Sequence, residues 1–357
     1  MDGERNQPAI EYTELALDFV APVINAYFLS LLKRPFFHMN LRIMLANFSI
    51  SLMALTITRI FLFLLPKIIE LRLDNSFWLH VVHNATMFII MNATIWMALE
   101  RLLATVLAGK YEKMRLWIWV LVICAFVWIL NLAFAFYIQY SLRCLMEYAE
   151  AVKAMEVAAG RKMDKTEAFL EMMKLKLSLT ECVKDELESD GTGVLGLLIL
   201  VVFVNFLGAV IFVVIRQYNK QRWRKDMERK LSHRYQIMEN IRTSKQLLKV
   251  VIADFFITFY FALVIYYQVK RQNGDTLSSV LGASFDFVAA VTAILLPVLF
   301  ITTHPKMRQV VRKQLLRRRR RVVVQQVEQA SARKQQAEQA AKKETDVYFT
   351  QLQSSWK

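Results

Sequence analysis

Cysteine is scarce in this chain: three in 357 residues, with no CxxC pair and no Cys/His cluster. That excludes a disulfide-built scaffold and points to no metal or other cofactor. Catalytic signatures are missing as well. No HExxH, GxSxG, Walker loop or paired-Asp intramembrane protease pattern stands at a workable place, so the sequence does not read as an enzyme. Inverted repeats of broken helices, the mark of many transporters, are not evident. No basic n-region precedes the first apolar block, which follows the acidic start MDGERNQPAIEYTE, so no cleavable signal peptide is expected. Polar residues are too few for a soluble domain of this length, since the hydrophobic set makes up 56% of the chain with only nine Gly and six Pro.

The apolar excess falls in blocks roughly 20 residues long, the length a helix needs to cross about 30 Å of hydrocarbon. Seven candidate spans follow, at about 13–32, 41–65, 77–108, 116–140, 193–215, 246–268 and 277–302. The expected fold class is therefore an all-α integral membrane protein, a seven-helix bundle over 13–302 behind a short N-terminus, 1–12. The formal net charge of +16 does not indicate nucleic acid, because the basic residues flank the apolar blocks, as in a chain facing anionic lipid.

Lys and Arg also give the direction of the spans. Residues 216–249 carry eleven of them against three acids, and the tail after Thr303 carries fourteen against four. Lys33, Arg34, Lys110, Lys113 and Arg115 add to the same side, whereas the N-terminus has only Arg5. The N-terminus is therefore expected outside and the C-terminus in the cytoplasm. That is the layout of G-protein-coupled receptors; seven-span odorant-gated cation channels have the opposite orientation.

The connection at 141–192 is long and helix-forming, with a break expected near Gly160. It is expected to form an external helical hairpin, either a lid or a solvated spacer. Cys144 and Cys182 lie near its two ends and are candidates for a disulfide, while Cys124 falls in mid-membrane. Before the sixth span, Leu231, Tyr235, Met238, Ile241 and Leu248 recur at helical spacing, so that span is expected to continue as an amphipathic helix. Residues 303–323 read as an amphipathic basic helix on anionic inner-leaflet lipids, with Arg317–Arg321 as its charge cluster, and 324–357 as a polar low-complexity tail.

Polar groups inside the spans are the candidate functional residues. Asp18, Arg59 and Asp286 fall at a similar depth in the outer half, and Arg59 is expected to pair with Asp286 or Asp18. Such a pair either fixes helix packing or serves a ligand. His80, His83, Asn84, Tyr260, Tyr266 and Tyr267 lie in the outer parts of spans three and six, a mixture of aromatic walls and few polar groups that suits a small molecule. Asp254, nearer the inner end of span six, is a candidate to contact a cation on span three or five. The Asn47, Asn84 and Asn92 glycosylation patterns fall within spans, and their amides read instead as interhelical hydrogen-bonding groups. Glu100 and Arg101 close the third apolar run at its inner end, where either the long Arg snorkels to the headgroups or each of the two faces a different neighbour.

Four strings go beyond periodicity: FFHMNLRIML (36–45), ALERLLATVLAGKYE (98–112), LSHRYQIMENIRTSKQLL (231–248) and THPKMR (303–308). His38, Asn40 and Leu41 match a Phe-His-x-Asn-Leu string, and Glu100, Arg101, Ala104, Thr105, Tyr111 and Glu112 match a Glu-Arg-x-x-Ala-Thr string with its Tyr-Glu. Arg234, Tyr235, Gln236, Glu239 and Asn240 match an Arg-Tyr-Gln-x-x-Glu-Asn string. In these strings, and in their order over residues 13–312, the chain resembles the nematode serpentine chemoreceptors, class epsilon, in the superfamily that also holds classes alpha, beta and alpha-beta. The resemblance implies a chemosensory receptor at a plasma membrane, often ciliary, that binds an external small molecule and signals to a heterotrimeric G protein. It implies a coupling switch at Glu100 and Arg101 with Arg234, Tyr235 and Glu239. The alternative is a seven-span ligand-gated cation channel. Details of other receptor families do not carry over: no Cys lies near Phe77, no Asp lies in span two, and Pro297 sits in LPVLFI instead of an Asn-Pro-x-x-Tyr string.

Overall fold

The seven apolar blocks form seven helices in a computed structural model, which describes residues 7–69, 76–107, 111, 116–160, 192–225, 231–270 and 276–314 with a few tail positions. They are α1 (Gln7–Leu32), α2 (Met39–Ile69), α3 (Phe77–Val106), α4 (Trp117–Gly160), α5 (Thr192–Lys225), α6 (Leu231–Lys270) and α7 (Thr276–Thr303). Each contains a stretch long and apolar enough to cross a membrane. No strand occurs among the described residues. In hydrocarbon a helix satisfies its own backbone, which is why the apolar blocks take this form.

Several helices outrun their predicted spans. α5 continues ten residues past 215 through Arg216, Lys220, Arg222 and Arg224, and α6 starts at Leu231 as one helix with its amphipathic lead-in. α4 is 44 residues long, which at about 1.5 Å per residue is far more than a bilayer requires. It is described as far as Gly160, and the expected break at 160–162 runs into residues outside those described. The second arm of that hairpin, and the side chains of Cys144 and Cys182, lie outside the described residues; Cys124 is a free thiol.

α3 is the axis of the bundle. It packs on α2, α4, α5 and α6, while α1 closes the ring between α2 and α7 and α4 lies outside against α2 and α3. In the most apolar stretch of α3, 61% of residues are buried, against 17% in α4, whose Trp119, Phe126 and Ile129 face outward. Gly208 on α5 lets that helix approach α3 closely: a Cβ there would stand 2.8 Å from Thr94 Cγ2 and 3.5 Å from Ile95 Cα.

Pro297 lies inside α7 and has no N–H to give Ala293, four residues earlier. The buried Asn25 of α1 supplies the missing donor, its Nδ2 reaching Ala293 O at 2.9 Å and its own Ala21 O at 2.9 Å. Ser49 of α2 completes the node by donating to Asn25 Oδ1 at 3.0 Å. One amide thus joins three helices and satisfies the carbonyl that the proline leaves bare.

The chain divides into two units, residues 1–303 and His304–Lys357. In the second, a helix over 305–314 is capped by His304, whose Nδ1 accepts from Met307 N at 3.2 Å. The cluster Arg317–Arg321 lies outside the described residues.

Candidate functional site

The bundle has an upper end, where α1, α3 and α7 begin and α2 finishes, and a lower end opposite. Glu14 and Asp18 are one turn apart on α1, and Arg59, His83 and Asp286 each lie six residues inside the upper limit of their span. Six residues are about 9 Å of helix, so four helices deliver these groups to one level. They surround a cavity of about 310 Å³ lined by Glu11, Glu14, Leu15, Asp18, Arg59, Leu62, Phe63, His80, His83 and Asp286.

Arg59 organises that cavity. Its Nη1 donates to Asp286 O at 2.6 Å and its Nη2 to the Glu14 carboxylate. Asp286 Oδ1 stands 3.5 Å from Nη2, and Asp18 Oδ2 3.7 Å from Nε. The guanidinium therefore meets both expected acids and a third, Glu14, which sequence reasoning missed. The signal for Glu14 was its i, i+4 spacing from Asp18. His83 Nδ1 lies 3.4 Å from Thr58 Oγ1.

Other candidate ligand residues stand elsewhere. Asn84 turns toward α4 and donates to Gln139 Oε1 at 3.3 Å. Tyr260 shares a hydrogen bond of 2.7 Å with Ser284 of α7. Tyr266 lines an apolar groove on the outward faces of α5 and α6, with Phe203, Phe206 and Phe259, which are 58%, 53% and 45% exposed. Tyr267 is half-buried and is not among the residues lining the cavity. The structure thus brings together His80, His83 and Asp286, and leaves Asn84, Tyr260, Tyr266 and Tyr267 outside that group.

The amides read as interhelical behave differently from one another. Asn47 accepts from Trp128 Nε1 at 2.8 Å across α2 and α4, but Asn92 donates to its own helix at Phe88 O, 2.9 Å. Asp254 meets no cation among the described residues, contrary to expectation. Its Oδ2 accepts from Thr94 Oγ1 at 2.5 Å, linking α6 to the middle of α3.

At the lower end, Glu100 and Arg101 are almost completely buried, 4% and 3% exposed, so snorkelling to the headgroups does not account for them. They reach different neighbours, Tyr111 for Glu100 and Asn240 of α6 for Arg101, but they also bind each other. Arg101 folds back on Glu100, with Nη2 donating to Oε1 at 2.5 Å and Nε donating to Oε2. Removing two charges from water is costly unless every group is matched, and here the matching is extensive. Tyr111, in the connection after α3, donates its hydroxyl to Glu100 Oε1 and accepts from Asn40 Nδ2 of α2 at 2.6 Å. Its ring lies 4.5 Å from that of His38. Burial first, and the Glu100 carboxylate second, push the Tyr111 phenol above its ordinary range, so it stays a donor.

Polar bonds extend from this pair to α5 and α6. Arg101 Nη1 reaches Asn240 Oδ1 of α6 at 3.4 Å, and Asn240 Nδ2 reaches Ala104 O at 3.3 Å. On α5, Asn219 donates to Thr105 Oγ1 at 3.0 Å and Arg222 to Thr105 O at 3.1 Å. Glu239 is half-buried beside Asn240, and the side chains of Arg234 and Tyr235 lie outside the described residues. Asn40, Tyr111 and Asn240 are thus partners of the pair; their only sequence signal was membership of the same strings.

Comparison with known proteins divides at the long connection. Residues 9–165 match the family of serpentine type 7TM GPCR receptor class ab chemoreceptors, and residues 189–357 match the Sre G protein-coupled chemoreceptors. No curated protein matches the chain. Both descriptions name one kind of molecule, and the seven-helix bundle fits both. The chain is a G-protein-coupled chemosensory receptor, a multi-pass protein of the plasma membrane, similar over each half to one of these serpentine families.

Proposed function

We propose that the upper cavity takes the external small molecule and that the cluster around Glu100 and Arg101 is the switch read by a heterotrimeric G protein. The observation carrying this reading is the lower cluster itself. A buried acid–base pair on α3 is hydrogen-bonded directly to α6 and, by way of the Tyr111 hydroxyl, to α2, each through a single, breakable contact. In that state Arg101 is occupied by Glu100 and Asn240. A shift of α6 against α3 would break the Asn240 contacts and free the guanidinium for the Gα C-terminal helix. α3 runs from one site to the other, since His80 and His83 lie near its start and Glu100 and Arg101 near its end. Ligand and G protein therefore act on one element, and the ligand shifts its equilibrium only by its differential affinity for the two arrangements.

The distribution of Lys and Arg supports an upper end that faces outside and a lower end that faces the cytoplasm. The chain acts without catalysis in this reading, and anionic inner-leaflet lipids hold the basic segment after Thr303. A sensory cilium is the proposed address. Expression with a calcium or cAMP reporter and an odorant panel tests the function. Ligand-evoked signals that vanish when Gα subunits are removed are expected; signals that persist would indicate a channel.

A further inference from the structure

We infer that the ligand of the upper cavity is a small organic cation, a protonated amine with a compact apolar body. This rests on the reading of that cavity as the ligand site. Three carboxylates, Glu14, Asp18 and Asp286, meet one guanidinium, Arg59, the only Lys or Arg among the described residues that line the cavity. The charge of the site is therefore not closed by its own residues. Glu11 adds a fourth acid to the lining, and the remaining titratable groups there are the imidazoles of His80 and His83.

How Arg59 spends its donors decides which acid is left. One terminal nitrogen is used by the Asp286 carbonyl and the other by Glu14. Asp18 is reached only at 3.7 Å, attracted but not hydrogen-bonded. Its Oδ1 is buried without a hydrogen-bond partner among the described residues, although the residue is 2% exposed and lines the cavity. A buried acceptor in that condition is destabilising, and an incoming N–H donor bearing positive charge would complete it. Asp286, whose side chain is 50% exposed, presents a second carboxylate to the same guest. An anion would instead compete with three carboxylates for Arg59.

The rest of the lining sets the body of the guest. Leu15, Leu62 and Phe63 face the cavity, and Phe63 is braced edge-on by Tyr12 at 6.4 Å. The volume, about 310 Å³, lies at the lower end of small-molecule sites. An alkyl or arylalkyl ammonium ion fits this combination of acids, one aromatic wall and two leucines.

The test is direct binding to the full chain in lipid nanodiscs. A panel of small alkyl- and arylalkyl-ammonium ions, 2-phenylethylammonium among them, is compared with the matched N-acetyl amides and carboxylates. Ammonium ions are expected to bind and raise the thermal midpoint, with their amide and carboxylate counterparts weaker by about tenfold or more, the equivalent of one charged hydrogen bond. Asp18→Asn, which keeps the shape and removes the charge, is expected to weaken amine binding by a similar factor. Asp286→Asn, at a half-exposed site, provides the second variant should the first fold poorly. Failure of every ammonium ion to bind, tighter binding of the amides or carboxylates, or unchanged amine affinity in both variants would overturn the inference. A neutral or anionic odorant that drives G-protein exchange while no amine binds would sink the amine and leave the receptor. Amine binding without any exchange would do the reverse.

Discussion

Replacing Tyr111 by Phe removes one oxygen from the lower cluster and leaves its ring packing on His38 intact. That hydroxyl has two partners: it donates to Glu100 and accepts from Asn40 at 2.6 Å. A hydrogen bond to a charged group contributes about 1.5–3 kcal/mol, and part is retained because Arg101 still holds the carboxylate through two bonds. With a net loss near 1.4 kcal/mol confined to the resting arrangement, the balance between resting and active bundles shifts about tenfold. An active fraction of about 1% would rise toward 10%. The assay is ligand-free signalling per receptor at the cell surface, normalised by an epitope tag on the N-terminus. Basal signalling in Tyr111→Phe that equals the parent at equal surface density would refute the reasoning. The pH dependence follows from the raised Tyr111 phenol. A group with a raised pKa keeps its contribution at every pH below its unfolded value, about 10, and loses it only as pH climbs through the folded one. Basal signalling of the parent is therefore expected to contain no Tyr111-dependent change between about pH 6 and 9.

Other substitutions test the packing. Asn25→Ala should lower stability by about 1–3 kcal/mol, since the Ala293 carbonyl loses its substitute donor. Adding Pro297→Ala returns a backbone N–H to that carbonyl, so the double variant should melt above Asn25→Ala alone; strictly additive losses would show the two residues to be uncoupled. Gly208→Ala should cost about 1–3 kcal/mol through its 2.8 Å approach to Thr94 Cγ2. Thr94→Ser, which deletes that methyl and keeps the hydroxyl, should recover most of the loss in a thermal melt. Asp254→Asn retains an acceptor for Thr94 and should change stability by less than about 1 kcal/mol, whereas Asp254→Leu leaves the hydroxyl unmatched and should cost more.

The spans were legible because lipid imposes one simple condition, about 20 apolar residues in a helix. The extension of α4 into the long connection and the continuous α6 could be read for local reasons, helix propensity and a periodic apolar face. Depth was legible too, because counting residues from the span ends places Asp18, Arg59 and Asp286 at one level. Rotation about each helix axis was not. Nothing local separates His83, which turns into the cavity, from Asn84, which turns to α4, although they are adjacent. Asp254 met Thr94 instead of a cation because a hydroxyl on the facing helix gives no sequence signal. Glu100 and Arg101 do reach different neighbours, but their bond to each other was not legible, because only the long Arg side chain bending back makes it. The Asn25 node was invisible for a related reason: its meaning depends on Pro297, 272 positions away and on another helix.

The measurement closest to the central claim is nucleotide exchange on a purified G-protein heterotrimer by the full receptor in nanodiscs, with Arg101→Ala beside it. The parent chain is expected to accelerate exchange, Tyr111→Phe to raise the ligand-free rate, and Arg101→Ala to lose the acceleration while still reaching the cell surface. Acceleration by Arg101→Ala equal to that of the parent would contradict the account, leaving the buried pair as a fastening between helices and not the switch.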